Sequence, residues 1–173
     1  MRYLLLILLC FICNVFFANA QKPIQILQPK IEFDIKQATE MLNDGTAEIK
    51  GVSYYEQRTP IGIKREATSY ARIGTIVTLY PLTAYLEEYL ELKKKNKKGK
   101  VLAAISPLAS AYRIETKVYS QTCEFSFRGL KPGKYYIESS YYFTAGTIAG
   151  DLSGIAEIKK DGEVLEYKLK RIN

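Results

Sequence analysis

Apolar and polar side chains alternate every second residue over much of this chain, and that period of two limits most strongly what it can fold into. In the last segment Leu165, Tyr167 and Leu169 alternate with Glu166, Lys168 and Lys170. Successive side chains of an extended strand point to opposite faces, so such a segment is dry on one side and wet on the other. The stretch Phe125-Ser126-Phe127-Arg128-Gly129-Leu130-Lys131-Pro132-Gly133-Lys134-Tyr135-Tyr136-Ile137 reads as strand, corner and strand. Pro132 presets φ for the second position of a turn, and Gly133 accepts the positive φ that a type II turn needs next. Strands with one apolar face bury it by stacking two sheets.

The same reading locates the other elements. Ala47 to Tyr55, Tyr112 to Tyr119, Cys123 to Phe127 and Lys134 to Phe143 are strand-like, and Ile73 to Tyr80 is apolar on both faces, as a central strand covered on each side would be. Pro81 terminates that run. Ile155 to Lys160 and Glu163 to Arg171 flank Asp161-Gly162, which predicts a two-residue type I′ hairpin. Two helices are expected. One runs from Asp34, a plausible N-cap, to Leu42, with Ile35, Ala38, Met41 and Leu42 on one face and Asn43-Asp44-Gly45 stopping it. The other lies in an insertion from Leu82 to Lys100, where Leu82, Tyr85, Leu86, Tyr89 and Leu90 recur at helical spacing with glutamates early and lysines late. The fold class expected is all-β, an antiparallel β-sandwich of about seven strands with a short N-terminal helix and one helical insertion.

The first residues combine Arg2, an apolar run from Leu4 to Phe17 and the small-residue site Ala18-Asn19-Ala20, the pattern of a cleavable secretory signal. The expected organisation is a signal peptide over 1–20, an N-terminal arm and short helix over 21–45, and a sandwich over 46–173. Cleavage after Ala20 leaves 153 of the 173 residues, removes Arg2 and no acid, and lowers the formal charge from +7 to +6. The apolar run falls short of the ~20 residues that span a bilayer, so no stable membrane span is expected after cleavage. The expected location is the periplasm or the cell exterior, where a positive excess favours acidic lipid or polysaccharide over nucleic acid. Cys10 and Cys13 leave with the signal. Cys123 then remains alone, shares a strand face with Phe125 and Phe127, and reads as a buried structural thiol.

Three of these stretches, AEIKG (Ala47 to Gly51), VTLYP (Val77 to Pro81) and FSFRGLKPGKYYI (Phe125 to Ile137), resemble the carboxypeptidase regulatory-like domain, a transthyretin-like or prealbumin-like β-sandwich of exported bacterial proteins. The resemblance covers roughly Thr46 to Ile172. It departs from the commonest pattern at Gln121-Thr122-Cys123-Glu124, where an Asp/Asn-Gly turn is usual, and in the long insertion from Pro81 to Lys100. The resemblance implies a non-catalytic accessory, binding or structural module and supplies no catalytic residue.

The chain contains no histidine, which excludes Ser-His-Asp and Cys-His catalysis and imidazole-ligated zinc. It has no phosphate loop, dinucleotide-binding glycine pattern or calcium-loop spacing, and no cofactor is expected; Gly146, Gly150 and Gly154 read as loop glycines. The tyrosine pairs 54–55, 135–136 and 141–142 should each place one ring in the core and one outside. Tyr54, Tyr136 and Tyr142 are accordingly candidate contacts for a sugar face or a protein partner, with cross-strand pairing as the alternative account. The lysine run after the second helix adds Lys93, Lys94, Lys95, Lys97 and Lys98; a solvated helix end with a flexible loop explains it, as does contact with an anionic ligand. Three functions remain open: a non-enzymatic module offering a binding or structural surface to an unidentified protein or glycan of the envelope, a carbohydrate-binding module, and a hydrolase using a carboxylate pair such as Glu87 and Glu91.

Overall fold

The computed structural model describes residues 23–58, 61, 64–142 and 148–172, so the signal-peptide reading lies outside the described residues. The chain runs β1 (Gln25–Leu27), α1 (Ile35–Leu42), β2 (Ala47–Arg58), β3 (Lys64–Tyr70), β4 (Ile76–Pro81), α2 (Ala84–Lys93), β5 (Val101–Ala103), α3 (Pro107–Ala111), β6 (Ile114–Lys117), β7 (Glu124–Leu130), β8 (Gly133–Tyr142), β9 (Ile148–Ile158) and β10 (Val164–Ile172). Eight of these strands build two stacked four-stranded sheets, the β-sandwich expected from the alternation. In the first sheet β2 pairs in parallel with β10 on one side; on the other it pairs antiparallel with β7 along its first half and β3 along its second. The second sheet has the order β6–β4–β8–β9, antiparallel throughout.

Inward residues of both sheets form one interior. Ile49, Phe125, Phe127 and Leu130 come from the first sheet, and Val77, Leu79, Tyr135, Ile137, Leu152 and Ile158 from the second, all almost fully buried. Each such side chain contributes about 1.5–3 kcal/mol by leaving water. Tyr55 and Tyr141 stack across the sandwich with ring centroids 4.7 Å apart. Gly51 offers bare backbone to the Phe125 ring. Cys123 is buried beside the two phenylalanines as expected, and at φ 64° it takes the left-handed conformation that glycine would supply in an Asn-Gly turn.

Several local expectations need correction. The Asp161-Gly162 turn exists, with Gly162 at φ 70°, but β9 and β10 do not pair there: β9 pairs with β8 and β10 crosses to β2 in the other sheet. A type I′ turn needs positive φ at both central residues, and Asp161 does not have it. The left-handed residue of the Phe-Gly-Pro-Gly stretch is Gly129 (φ 70°), set in a bulge opposite Ala47 and Glu48, whereas Gly133 at φ 157° is near-extended and opens β8. Gly150 and Gly154 are strand residues of β9 instead of loop residues, glycine there because a Cβ at Gly150 would lie 2.8 Å from the Tyr141 hydroxyl and one at Gly154 would collide with that of Tyr167; Gly146 lies outside the described residues. The expected strand Tyr112 to Tyr119 is reduced to Ile114–Lys117.

The helices follow their caps. Asp34 accepts the Gln37 N–H at 2.9 Å to start α1, and Asn43 closes it. Thr83 caps α2, which buries Tyr85 and Leu86. The N-terminal arm is docked: β1 pairs in parallel with β5, the Lys30 and Ile31 N–H groups both donate to Glu88, and Phe33 packs against Tyr85 and Tyr112. Arm, α2 and β5 thus form one unit beside the outer face of the second sheet.

Candidate functional site

Alternation along β8 sends Tyr135, Ile137 and Ser139 into the sandwich and leaves Tyr136, Glu138 and Ser140 on the outer face. Neighbouring strands add Tyr80, Thr78 and Ile76 from β4, and Ile155, Ser153 and Asp151 from β9, in register with them. Pro81 carries the chain out of β4 into α2, whose apolar side then roofs one end of this face: Leu82, Leu86 and Tyr136 form a second small core with Tyr80, Tyr89 and Leu90 against it. β4 is therefore central and covered on both sides only where α2 lies, while Ile76 at its far end stays exposed.

Lys93, at the C-terminal end of α2, joins helix to sheet. Its Nζ lies 3.1 Å from Glu138 Oε2 and 3.2 Å from the Tyr136 hydroxyl, and the Tyr136 O–H is itself 3.1 Å from the same carboxylate oxygen. The ammonium also sits 5.6 Å from the centre of the Tyr136 ring and 5.9 Å from that of Tyr89, within cation–π range. Burial by itself would lower the Lys93 pKa, but the Glu138 carboxylate and Tyr136 together outweigh it and hold the ammonium above its usual range. Burial raises Tyr80, Tyr89 and Tyr136, so all three phenols stay neutral donors at physiological pH.

Two depressions meet at Lys93, and a third adjoins the first of them. One of about 430 Å³ is lined by Leu90, Lys93, Lys94, Tyr136, Ser153 and Ile155. A second of about 320 Å³ lies over Thr78, Glu138, Ser140 and Asp151, with Lys93 as its wall. A third of about 550 Å³ shares Leu90, Lys94 and Ile155 with the first and extends towards Ile31 and Glu87. Together they make an open groove around the end of α2, floored by sheet and edged with hydroxyls, two lysines and carboxylates. Such a surface can offer aromatic and aliphatic area to a flat apolar face while donating and accepting hydrogen bonds at its rim.

Of the residues expected to make contacts, the structure unites only Lys93, Lys94 and Tyr136. Tyr136 is buried, against the expectation of an outward ring, because α2 covers the outer face where it stands; Tyr135 beside it is buried in the main interior. Lys93 belongs to the helix and is ion-paired rather than free, and Lys94 pairs with Glu91 at 2.5 Å. Tyr54 lies half-buried on the opposite face of the sandwich beside Tyr70, the cross-strand arrangement, and the side chain of Tyr142 lies outside the described residues. Lys95, Lys97 and Lys98 are exposed, in a closed turn instead of a flexible loop: Lys97 and Val101 exchange both backbone hydrogen bonds at 2.9 Å. Glu138, Tyr80, Tyr89 and Ser153 were not singled out by sequence. The alternation along β8 marks Glu138 as outward, but nothing in the sequence brings it to Lys93, 45 residues away.

The two acids considered for catalysis, Glu87 and Glu91, both line the third depression, and Glu91 pairs with Lys94; Glu88 beside them accepts the N–H groups of the arm. Among the described residues no three metal-binding side chains cluster, and no helix is long and apolar enough to cross a membrane.

No family model matches the chain, and no curated protein matches it either. Its fold is similar to a crystal structure from Pseudomonas aeruginosa, described as that of a candidate carbohydrate binding protein. The TM-score is 0.57 and the identity 19%, over 82% of this chain and 99% of the other. That likeness establishes the β-rich fold.

Proposed function

We propose that the protein is an exported, non-enzymatic module that binds carbohydrate in the groove around the end of α2. The observation that carries this reading is the Lys93–Glu138–Tyr136 cluster, which lines two depressions that meet at Lys93. Sugars present apolar C–H faces and a periphery of hydroxyls, each a donor and an acceptor. Leu90, Ile155 and the Tyr136 ring offer the apolar contact; Lys93 donates, Glu138 and Asp151 accept, and the serines do both. The fold likeness to a candidate carbohydrate binding protein points the same way. The resemblance of Thr46 to Ile172 to carboxypeptidase regulatory-like domains fits an accessory module, and the residues at 1–20 fit export. With no histidine in the chain, Glu88 holding the arm and Glu91 beside the Lys94 ammonium, the groove is read as binding without turnover.

A glycan array with the full chain tests this. Wild type should be retained on a polysaccharide, and Glu138→Gln with Lys93→Met should weaken retention about tenfold or more, the worth of one charge-assisted hydrogen bond. A thermal melt checks that the variant folds. Retention unchanged in a folded variant would remove the groove from the account, and release of reducing sugar would make the protein a hydrolase.

A further inference from the structure

The turn that follows α2 concentrates positive charge where packing does not require it. Lys95, Lys97, Lys98 and Lys100 are all exposed, and none of them forms an ion pair among the described residues. The helix C-terminus, with its partial negative charge, accounts for cations at Lys93 to Lys95. It does not account for Lys97, Lys98 and Lys100, which lie beyond the helix.

A run of like charges in a free loop separates by extending. Here the backbone forbids that. Lys97 and Val101 exchange N–H···O bonds at 2.9 Å each, and the Lys100 N–H donates to the Lys97 carbonyl at 2.9 Å. The Ala103 N–H donates to the Asn96 side chain at 2.6 Å, and the Gln25 N–H of the docked arm donates to the Lys100 carbonyl at 2.8 Å. Gly99, at φ 69°, allows the reversal. Three ammonium groups are thus carried on one closed turn, and an anion bound from outside would relieve their mutual repulsion.

The turn also continues the groove. One depression lined by the end of α2 has Lys93 and Lys94 as its charged lining, with Ser153 and the Tyr136 ring beside them; the other that Lys94 lines carries Glu87, Glu88 and Glu91. Lys94 is itself paired with Glu91, so the unpaired cations begin one residue beyond it, at Lys95.

We infer that the carbohydrate is an acidic polysaccharide, with a sugar unit seated in the groove and the carboxylates or sulfates of the next units met by Lys95, Lys97, Lys98 and Lys100. This rests on the carbohydrate reading above and narrows it to one chemical class. Repeated anions on a stiff polymer match a fixed row of cations, with no covalent step.

Affinity electrophoresis of the full chain through gels containing polygalacturonate, alginate or heparin, against neutral dextran and β-glucan gels, tests it. At least one acidic polymer should retard the protein more than any neutral one, and raised salt should diminish the difference. Changing the four lysines together to Gln should weaken acidic binding about tenfold, from four screened contacts of ordinary surface strength, and leave neutral binding and the thermal melt unchanged. Equal retention by neutral polymers, or a lysine variant that binds acidic polymer like wild type, overturns the acidic preference and leaves carbohydrate binding standing. Binding to phosphatidylglycerol vesicles with no retention by any polysaccharide overturns both.

Discussion

Tyr135 should make stability depend on alkaline pH in a way that a single substitution can isolate. Its ring is fully buried, and its hydroxyl lies 2.8 Å from the Lys131 carbonyl and 3.1 Å from that of Met41, tying the end of α1 to the corner before β8. A neutral phenol has one proton to donate there, whereas a phenolate would face two carbonyl oxygens with nothing to offer. Burial pushes the Tyr135 pKa up to about 12. The unfolded chain, with an ordinary value of about 10, gives up its proton first as pH rises. Below about pH 10 both states hold the proton and stability does not change; between about 10 and 12 the folded state binds more protons and stability falls, by about 2–3 kcal/mol over the interval. Tyr135→Phe removes that dependence and, near neutral pH, costs about 1 kcal/mol for the lost hydrogen bond. Urea unfolding of both proteins at a series of pH values from about 7 to 11.5 measures the difference. Wild type should be the more stable up to about pH 9, the gap should close as pH rises, and the order should reverse above about pH 11. Tyr80, Tyr89, Tyr136 and Tyr167, also raised by burial, titrate in both proteins and cancel from the comparison. Parallel curves across the whole range would refute the reasoning.

Gly51→Ala drives a methyl group into the tip of the Phe125 ring and should cost about 1–3 kcal/mol by overpacking; Phe125→Leu in the same chain should recover part of it, and a double-mutant cycle without coupling would contradict the contact. Cys123 is buried, and burial together with Glu124 raises its thiol pKa, so a thiol reagent should label it in urea but only slowly in the folded protein; rapid labelling of the native state would place it at the surface. Asp34→Ala should cost about 1 kcal/mol in urea unfolding through loss of the α1 cap, and an unshifted midpoint would mean that the arm contacts hold α1 without it.

The parts legible in the sequence are those decided by neighbours along the chain. Alternation in β2, β7, β8 and β10 assigns Ile49, Phe125, Phe127, Ile137 and Leu169 to the interior whichever strands end up adjacent. Asp34 and the glutamate-to-lysine gradient of α2 mark helix ends because capping and dipole act within one turn. Pairing is a different matter. The Asp161-Gly162 turn is correctly a reversal, yet the turn itself does not say whether the next strand returns to its own sheet or crosses to the other; β10 crosses because β2 had an open edge that could bury Leu165 and Leu169. The candidate site was obscured for the same reason. Tyr136 reads as an outward ring until α2 is laid over it, and Lys93 reads as one of a solvated run until Glu138 stands beneath it.

By itself the sequence determined which residues are extended, which are helical and which side of each strand is apolar, since these follow from backbone preference and a period of two. Only the tertiary structure decided that α2 folds back over the outer face of β4 and β8, that a groove opens around Lys93, and that the lysine turn is held closed beside it. Those features depend on contacts between segments tens of residues apart, set by which apolar surfaces fit together, and no local pattern records them.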